Sequence, residues 1–258
     1  MKFAPLTRYG LLAVTGADAR AFLHAQLTND IENLPAGRAA LAGWCSAKGR
    51  LLASFLVIPT AQGFLLQLSQ DLVPAVLKRL TMFVLRSKVK ITDASGEWKP
   101  VGLWGAVPGL EVPAGAFAVA QKDSLLAVRM GEARFLVLAA GAALFETGEK
   151  LAEDRWTLDE IRAGRPLITD ATQDQFVPQM VNFDTLGAVN FQKGCYPGQE
   201  IVARAQYRGQ VKRRMKLMQA PGGVEPKPGQ EFEGGTVVDA APSGNGWALL
   251  AVLPVVTA

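Results

Sequence analysis

The chain begins with apolar runs of strand length that alternate with amphipathic runs of helix length. Strands and helices are predicted in the order strand, helix, strand, strand, helix, strand, at residues 9–15, 17–27, 51–58, 63–68, 71–83 and 87–92. Thr60, Ala61 and Gln62 form the expected hairpin turn, and Asp71 is expected to cap the second helix. This order is typical of a ferredoxin-like split unit.

A second α+β unit is predicted after the polar break at residues 93–96. Strands are expected at 101–104, 125–130 and 135–139, and helical segments within 144–163. The polar stretch 169–191 shows no sustained helical period, so we expect it to cross between units and to line the gap that they enclose.

From residue 211 onward the pattern becomes β. Strands are expected at 212–218, 230–232, 236–239 and 247–256, with Gly- and Pro-containing turns between them, which indicates a small sheet or barrel. We therefore place the predicted domains at 1–94, 95–210 and 211–258. The apolar run 247–256 is shorter than the roughly 18 residues that a membrane span needs, so no membrane insertion is expected.

Composition excludes several classes of protein. Of the 258 residues 49% are apolar and 19% are charged, which is typical of a globular chain, and the net charge of +4 is far weaker than in a dedicated nucleic-acid binder. Two cysteines are too few for a disulfide framework and favour a reducing, cytoplasmic compartment. With a single histidine they cannot complete a tetrahedral zinc site within one chain, so no metal site is predicted. We interpret His24 as a packed or capped core residue and Cys45 as buried.

The most site-like composition lies in a loop at residues 192–200. There a cysteine stands between two glycines, beside Lys193 and ahead of an amphipathic helix predicted from Pro197 to Gly209. A cation and a helix N-terminus both stabilise a thiolate, which favours a reactive Cys195. The alternative is a type II turn at Pro197-Gly198 with the cysteine as a small apolar filler.

Two further groups of residues suggest ligand contacts. Arg204 and Arg208 would share a helix face and repel each other unless an anion or carboxylate lies opposite, and with residues 212–214 they form a basic stripe. That stripe would neutralise nucleic-acid phosphates, or it would be a solvated strand edge. The segments 182–184 and 190–191 alternate an amide or acid with an aromatic ring, which suits either a stacked flat ligand or the edge of the core.

Taken together, these segments resemble the YgfZ family. The hallmark K-G-C-Y-x-G-Q-E is matched by Lys193 to Glu200, and the A-R, R-G and K-R pairs by residues 203–204, 208–209 and 212–213. Similar stretches also occur at 22–30, 48–50, 163–166 and 174–179. The resemblance therefore covers about residues 6 to 219.

This resemblance implies an α+β fold of the T-protein type. It would have two ferredoxin-like α+β units around a central folate cavity, plus a small C-terminal β domain. It implies tetrahydrofolate or a one-carbon derivative as cofactor, and a role in iron-sulfur cluster assembly or repair and thereby in tRNA modification. The expected partners are folate, iron-sulfur client proteins and, by direct contact, tRNA. The implied catalytic residue is Cys195, and the implied folate-contacting residues are Asn29, Gln175, Asn182, Asp184, Lys193, Gly194, Tyr196, Gln199, Glu200 and Arg204.

Two departures from the related aminomethyltransferases affect the chemistry. Those enzymes place an essential carboxylate shortly after the glycine that matches Gly49, where this chain has Ala53 and Ser54, so aminomethyl transfer is disfavoured. Many relatives read R-I-E-A-G-x-P, whereas here Glu160 and Arg162 exchange the two charges, and pterin contacts are not transferred to them.

Three alternatives stay open from the sequence. A one-carbon transferase would need a substitute carboxylate such as Asp30 or Asp184. A tRNA-binding module would use the basic stripe, although a polyglutamylated folate tail would meet the same cations. The third alternative is a purely structural scaffold. The sequence does not decide whether the protein is an enzyme.

Overall fold

Three β-sheets and four α-helices form the described part of the protein, which comprises residues 1–139, 148–209 and 211–255 of a computed structural model. The sheets follow one another along the chain, apart from one N-terminal strand. Because alternating or continuous apolar residues on each strand need a covered face, each sheet buries one set of side chains.

The first sheet contains the predicted ferredoxin-like order. Its elements are β2 (Tyr9–Thr15), α1 (Ala19–Gln26), β3 (Ala40–Cys45), β4 (Leu51–Thr60), β5 (Gly63–Ser69), α2 (Val73–Thr81) and β6 (Lys90–Asp93). The strands are ordered β3-β4-β5-β2-β6, and β2 pairs antiparallel with both β5 and β6. Without β3 this is the strand order of a split βαββαβ unit, as predicted.

Strand β3 was not predicted, because its residues are mostly small and have little β-propensity. Close packing favours a small residue at position 43, since a Cβ on Gly43 would lie 2.4 Å from Cδ2 of Leu51. The Gly43 amide donates to Oγ1 of Thr28 over 2.8 Å, which helps hold the strand.

The predicted cap of α2 was wrong. A short 3₁₀ turn covers Gln70–Leu72, and the capping residue of α2 is Leu72, without a side-chain cap bond. The proline at position 74 explains this start, because proline lacks an N–H and its fixed φ suits the first turn of a helix.

The second sheet has six strands. They are β1 (Lys2–Pro5), β7 (Lys99–Trp104), β8 (Val119–Lys122), β9 (Leu125–Gly131), β10 (Arg134–Ala139) and β11 (Glu149–Lys150), in the order β11-β1-β7-β10-β9-β8. The predicted β7, β9 and β10 are confirmed, whereas the short strands β1, β8 and β11 were not predicted. Helix α3 (Glu153–Arg162) lies within the helical stretch predicted at 144–163, of which residues 144–147 lie outside the described residues.

The third sheet confirms the β pattern predicted after residue 211. Helix α4 (Gln199–Tyr207) leads into β12 (Arg213–Pro221), β13 (Glu231–Phe232), β14 (Gly235–Ser243) and β15 (Gly246–Pro254). The sheet is antiparallel in the order β12-β15-β14-β13, and Val237, Leu249 and Leu253 belong to its buried cluster. Residue 256, the end of the last predicted strand, lies outside the described residues.

Contacts divide the chain into two discontinuous units. Unit 1 comprises Met1–Phe22, Glu32–Ala40 and Leu56–Trp156, and unit 2 comprises Leu23–Ile31, Leu41–Phe55 and Thr157–Ala258. All the predicted site residues belong to unit 2. The domain boundaries at 94 and 210 stay a prediction. Within the ranges that the structure describes, no helix is long and apolar enough to cross a membrane.

Candidate functional site

The loop that carries Cys195 is fastened to the end of helix α1 by a buried ammonium group. Lys193 is 8% exposed, and its Nζ donates to the carbonyl oxygens of His24, over 2.5 Å, and Leu27, over 3.0 Å. Carbonyls at a helix C-terminus lack intrahelical partners and carry the negative end of the helix dipole. Lys193 therefore caps α1 and fixes the start of the loop.

Burial also changes the charge behaviour of Lys193. It lowers the pKa of the ammonium group from 10.5 to about 8, although Asp30 and Cys195 act in the opposite direction by favouring the charged form. The Nζ lies 4.7 Å from the centroid of the Tyr196 ring, a distance suited to a cation–π contact. The two carbonyls and the ring thus compensate part of the lost hydration.

The two cysteines differ in access to solvent. Cys195 is exposed, whereas Cys45 is buried as predicted, and burial raises the pKa of the Cys45 thiol to about 12. Burial also raises the pKa of the Tyr196 phenol, and the neighbouring Cys45 adds to that rise. Only Cys195 therefore combines access to reagents with a cation within electrostatic range.

Two glycines allow the loop to pass directly against the turn at residues 46–50. Gly198 has φ +78°, and a Cβ there would lie 2.3 Å from the oxygen of Ser46 and 2.7 Å from Cα of Gly49. Gly49 has φ +68°, and its Cβ would lie 2.8 Å from Cβ of Ile201. Both positions require a left-handed backbone and a missing side chain, so glycine is needed at each.

The sequence offered a helix from Pro197 or a turn at Pro197-Gly198, and the structure contains both features. Gly198 has φ 78° and ψ 3°, values typical of the third residue of a type II turn, and helix α4 begins one residue later at Gln199. The helix ends at Tyr207, with Arg208 rather than Gly209 as its C-cap.

A His–Asp pair beside the loop was not predicted as a site. Nδ1 of His24 lies 3.2 Å from Oδ1 of Asp30, and each side chain is 22% exposed. Nε2 of His24 lies 3.8 Å from the position that a Cβ on Gly194 would take. His24 is thus partly exposed and contacts Asp30 next to the loop, which corrects its interpretation as a core residue.

All four of the predicted folate-contacting amides bond to backbone oxygens, three of them as follows and the fourth, Asn182, at strand β12. Nδ2 of Asn29 donates to the oxygens of Leu41, over 2.7 Å, and Gly187, over 2.8 Å. Nε2 of Gln175 donates to the oxygen of Ala171 over 2.7 Å, and Nε2 of Gln199 lies 3.4 Å from the oxygen of Lys193. These bonds give the three amides structural partners.

Asp184 and Asn182 are tied to strand β12. The carboxylate of Asp184 is 7% exposed and accepts two hydrogen bonds of 2.7 Å from Arg214, which raise the pKa of that arginine. Nδ2 of Asn182 donates to the oxygen of Met215 over 2.9 Å. Phe183 between them is 1% exposed, so its ring packs in the core, which is the second of the two alternatives that the sequence left open.

Helix α4 presents a basic surface groove of about 490 Å³. It is lined by Glu200, Ala203, Arg204, Tyr207 and Arg208, so the two arginines share a face as predicted. Glu200 stands four residues before Arg204, the order in which a carboxylate and a cation stabilise a helix. Of the remaining stripe, Arg213 donates to the oxygen of Gly234 and Arg214 pairs with Asp184.

The positions that replace the aminomethyltransferase carboxylate have structural roles. Ala53 is fully buried, and Oγ of Ser54 accepts a 2.9 Å hydrogen bond from the amide of Ile168. Glu160 forms two 2.7 Å bonds with Arg165. In the described ranges, no group of three or more His, Cys, Asp or Glu side chains could hold a metal ion.

Comparison with known proteins places this chain in a family. Residues 5–108 match the model of the GCVT N-terminal domain. The chain is 33% identical over 234 residues to an uncharacterized protein from Haemophilus influenzae, covering 90% of this chain and 78% of that protein. It is 32% identical over 244 residues to the tRNA-modifying protein YgfZ of Sodalis glossinidius, covering 88% of this chain and 74% of the relative. The chain belongs to the YgfZ family.

A YgfZ relative from Serratia proteamaculans is 30% identical over 266 residues and covers 93% of this chain and 80% of its own. Among solved structures, the glycine cleavage system aminomethyltransferase T of Bartonella henselae matches with a TM-score of 0.75 and 17% identity, covering 98% of this chain and 78% of that chain. The YgfZ resemblance and the T-protein type of α+β fold are therefore confirmed.

We predict that Gly198→Ala destabilises the protein more than Gly164→Ala. Both glycines have positive φ, but nothing lies within 4 Å of a Cβ at Gly164. Gly164→Ala should cost about 1 kcal/mol of backbone strain, and Gly198→Ala about 1–3 kcal/mol more because Ser46 and Gly49 must move. Urea unfolding of both variants measures the difference, and equal losses would show that the close contact does not matter.

A second prediction concerns Lys193 and pH. Because its pKa is about 8 in the folded protein against an ordinary 10.5, the unfolded chain binds the extra proton between these pH values. The free energy of unfolding of the wild type, measured relative to that of Lys193→Met, therefore rises by about 3 kcal/mol as the pH increases across this window. Urea unfolding at several pH values tests this, with Lys216→Met as the control for removal of a positive charge from the surface. A flat difference for Lys193→Met would contradict the lowered pKa.

Proposed function

We propose that this protein binds tetrahydrofolate or a one-carbon derivative and supports iron-sulfur cluster assembly or repair, and thereby tRNA modification, with Cys195 as its reactive centre. The observation that carries the proposal is an exposed thiol on a loop held by a buried lysine. The YgfZ relatives from Serratia proteamaculans and Sodalis glossinidius are tRNA-modifying proteins, which supports a role of this protein in tRNA modification.

The donor groups on helix α4 suit the anionic end of a folate. Arg204 and Arg208 line one groove, and guanidinium groups bind carboxylates through paired hydrogen bonds. Tyr207 in the same groove is 69% exposed and contacts Phe191 edge to face, with ring centroids 6.1 Å apart. An exposed aromatic ring between two cations would pack against a flat group while the arginines hold the glutamate tail. When bound, the folate would supply a reduced pterin that carries one-carbon units.

The carboxylates argue against aminomethyl transfer as the activity. Ala53 and Ser54 carry no acid, and both possible substitutes already have side-chain partners, Asp30 the imidazole of His24 and Asp184 the guanidinium of Arg214. A carboxylate that already accepts hydrogen bonds from another side chain is a weaker partner for a folate nitrogen, because its oxygens are already engaged. We therefore expect folate binding without glycine-cleavage activity.

A tRNA-binding module is the second candidate, favoured by the same groove. Arg204 and Arg208 would contact phosphates, and Tyr207 would stack on a base. Several phosphate contacts produce a steep fall of affinity with salt, whereas a small ligand with two carboxylates produces a shallow one. Titration of tRNA and of tetrahydrofolate over a range of salt concentrations distinguishes the two candidates.

We predict that the protein binds tetrahydrofolate in calorimetric titration and that Arg204→Ala weakens binding by about tenfold or more, through loss of a charge-assisted hydrogen bond. The exposed Lys216→Ala on β12 is the matched control and should bind like wild type. Unchanged tetrahydrofolate affinity of Arg204→Ala would show that the ligand does not bind in this groove. Robust aminomethyl transfer by the purified protein would contradict the expected lack of that activity.

Cys195→Ala provides the test of the thiol. Because the side chain is exposed, this variant should unfold at the same temperature as wild type, yet fail to restore iron-sulfur enzyme activity in cells that lack the gene. The readout is the activity of an iron-sulfur enzyme in extracts of the complemented cells. Full rescue by Cys195→Ala would reject a role for the thiol.

A further inference from the structure

A surface pocket of about 370 Å³ lies in unit 1, and none of the predicted site residues lines it. Strand β2, the turn between β6 and β7, and the tips of the β4–β5 and β8–β9 hairpins form its walls. We propose that this unit 1 pocket binds a small aliphatic amine cation. The proposal goes beyond the proposed function and does not rest on it. The lining residues that carry it are Gln62, Phe64, Glu97, Trp98, Gln121 and Asp123.

The charged side chains of the unit 1 pocket are all negative. Glu97 and Asp123 line it, whereas no lysine, arginine or histidine is found among its described lining residues. Neither carboxylate has an ion-pair or side-chain hydrogen-bond partner within the part of the chain that the structure describes. Although the whole chain has a net charge of +4, the pocket therefore has a negative potential. This potential attracts a cation and disfavours a ligand with a carboxylate or phosphate group.

An aromatic ring lies beside these acids. Trp98 follows Glu97 in the chain and lines the same pocket, and its indole has no hydrogen-bond or ring partner among the described side chains. Phe64 and Leu65, which are 3% and 4% exposed, form the buried part of the wall. An ammonium group binds the face of an indole through a cation–π contact, and methylene groups pack on the same surface. The pocket therefore fits a ligand with both ammonium and methylene groups.

The turn that carries Glu97 and Trp98 is fastened to β2. The carbonyl oxygen of Ala94 accepts the amides of Glu97, over 3.1 Å, and of Trp98, over 3.0 Å. The Ala94 amide donates to the oxygen of Leu11 over 2.8 Å, and Oγ of Ser95 accepts the Leu11 amide over 3.0 Å. Because these bonds hold the turn before a ligand arrives, little ordering of the backbone opposes binding.

The tip of the β4–β5 hairpin packs directly on β2. Thr60 pairs with Gly63, and residues 61–62 form the turn between them. Gly63 has φ +143°, and a Cβ there would lie 2.3 Å from the oxygen of Val14. This close contact fixes the position of the turn residue Gln62 in the wall of the pocket.

The β8–β9 hairpin supplies Asp123 from a tight turn. Lys122 pairs with Leu125, which leaves Asp123 and Ser124 as the two turn residues. Asp123 has φ +51°, a left-handed conformation that aspartate and asparagine adopt more readily than other residues with a side chain. Asparagine therefore preserves the turn, and Asp123→Asn removes the charge alone.

The size and the polar groups of the unit 1 pocket define the ligand further. Its volume lies in the range of about 300–1,000 Å³ that is typical of small-molecule sites. An ammonium group donates hydrogen bonds and accepts none, and the pocket offers acceptors in its two carboxylates and in the amides of Gln62 and Gln121. Two carboxylates suit two ammonium groups joined by a short methylene chain that packs on Trp98. Putrescine has this chemistry and serves as the probe.

NMR titration of the isotope-labelled full-length protein tests the proposal. The chain has five tryptophans, and Trp98→Phe identifies the indole N–H signal of Trp98. At low ionic strength we expect putrescine to shift this signal with half-saturation below about 10 mM. Butylamine, which lacks one ammonium group, should bind about fivefold more weakly, and the uncharged butanediol should not shift the signal. These three titrations use wild-type protein, so they do not depend on the folding of a variant.

Acid-to-amide variants assign the binding to the two carboxylates. Glu97→Gln and Asp123→Asn should each weaken putrescine binding by about threefold to fivefold, the effect of one exposed ion pair, and the double variant by about tenfold or more. Glu111→Gln is the matched control, because it removes an exposed acid of unit 1 outside the pocket and should bind like wild type.

Three results would overturn the proposal. The first is a Trp98 signal that shows no saturable shift up to about 50 mM putrescine. The second is an equal shift with butanediol, which would show that charge does not matter. The third is putrescine affinity of the Glu97 and Asp123 variants equal to that of Glu111→Gln. Folate binding is measured separately, so its failure would leave these titrations unchanged.

Discussion

One buried ammonium group holds the candidate site together. Removing a lysine charge from water is unfavourable by several kcal/mol unless hydrogen bonds compensate, and here they come from two carbonyls at the end of α1. Carbonyls at the C-terminal end of a helix lack intrahelical donors, so the ammonium and the helix end are suited to each other. Cys195, the Tyr196 ring and the turn before α4 all follow Lys193 in the chain, and their positions depend on this contact.

The site combines an inherited fold with a different set of charges. The T-protein type of fold is present, but Asp30 and Asp184 already contact His24 and Arg214, whereas the exposed thiol of Cys195 and two arginines of α4 are open to a ligand. Such a set favours binding of an anion and thiolate chemistry over activation of a folate nitrogen by an acid. This difference in side chains, rather than in fold, separates the proposed function from that of the aminomethyltransferases.

The elements that the sequence predicted share strong local signals. Strand β2 was predicted at its observed bounds because its apolar run ends at a glycine, and Cys45 beside Trp44 was correctly expected to be buried. The loop was found from its composition alone. Contacts that depend on the tertiary fold had no such signal. Asp30 follows His24 by six residues, a spacing that does not bring side chains together on a helix, and Arg214 lies 30 residues after its partner Asp184. The short strands β1, β8 and β11, and strand β3 with its small residues, have weak local β-propensity. They form because they pair with neighbouring strands, and the local sequence does not reveal that pairing.

The contact between Gly49 and Gly198 has a consequence for how such chains diverge. Most crowded pairs in a protein tolerate change, because one side chain can shrink when the other grows. Gly49 and Gly198 have no side chain that could become smaller, and each also adopts a left-handed backbone conformation. Each position therefore favours glycine independently, and a chain that loses either glycine must move Ser46, Ile201 or the backbone of the other segment to make room.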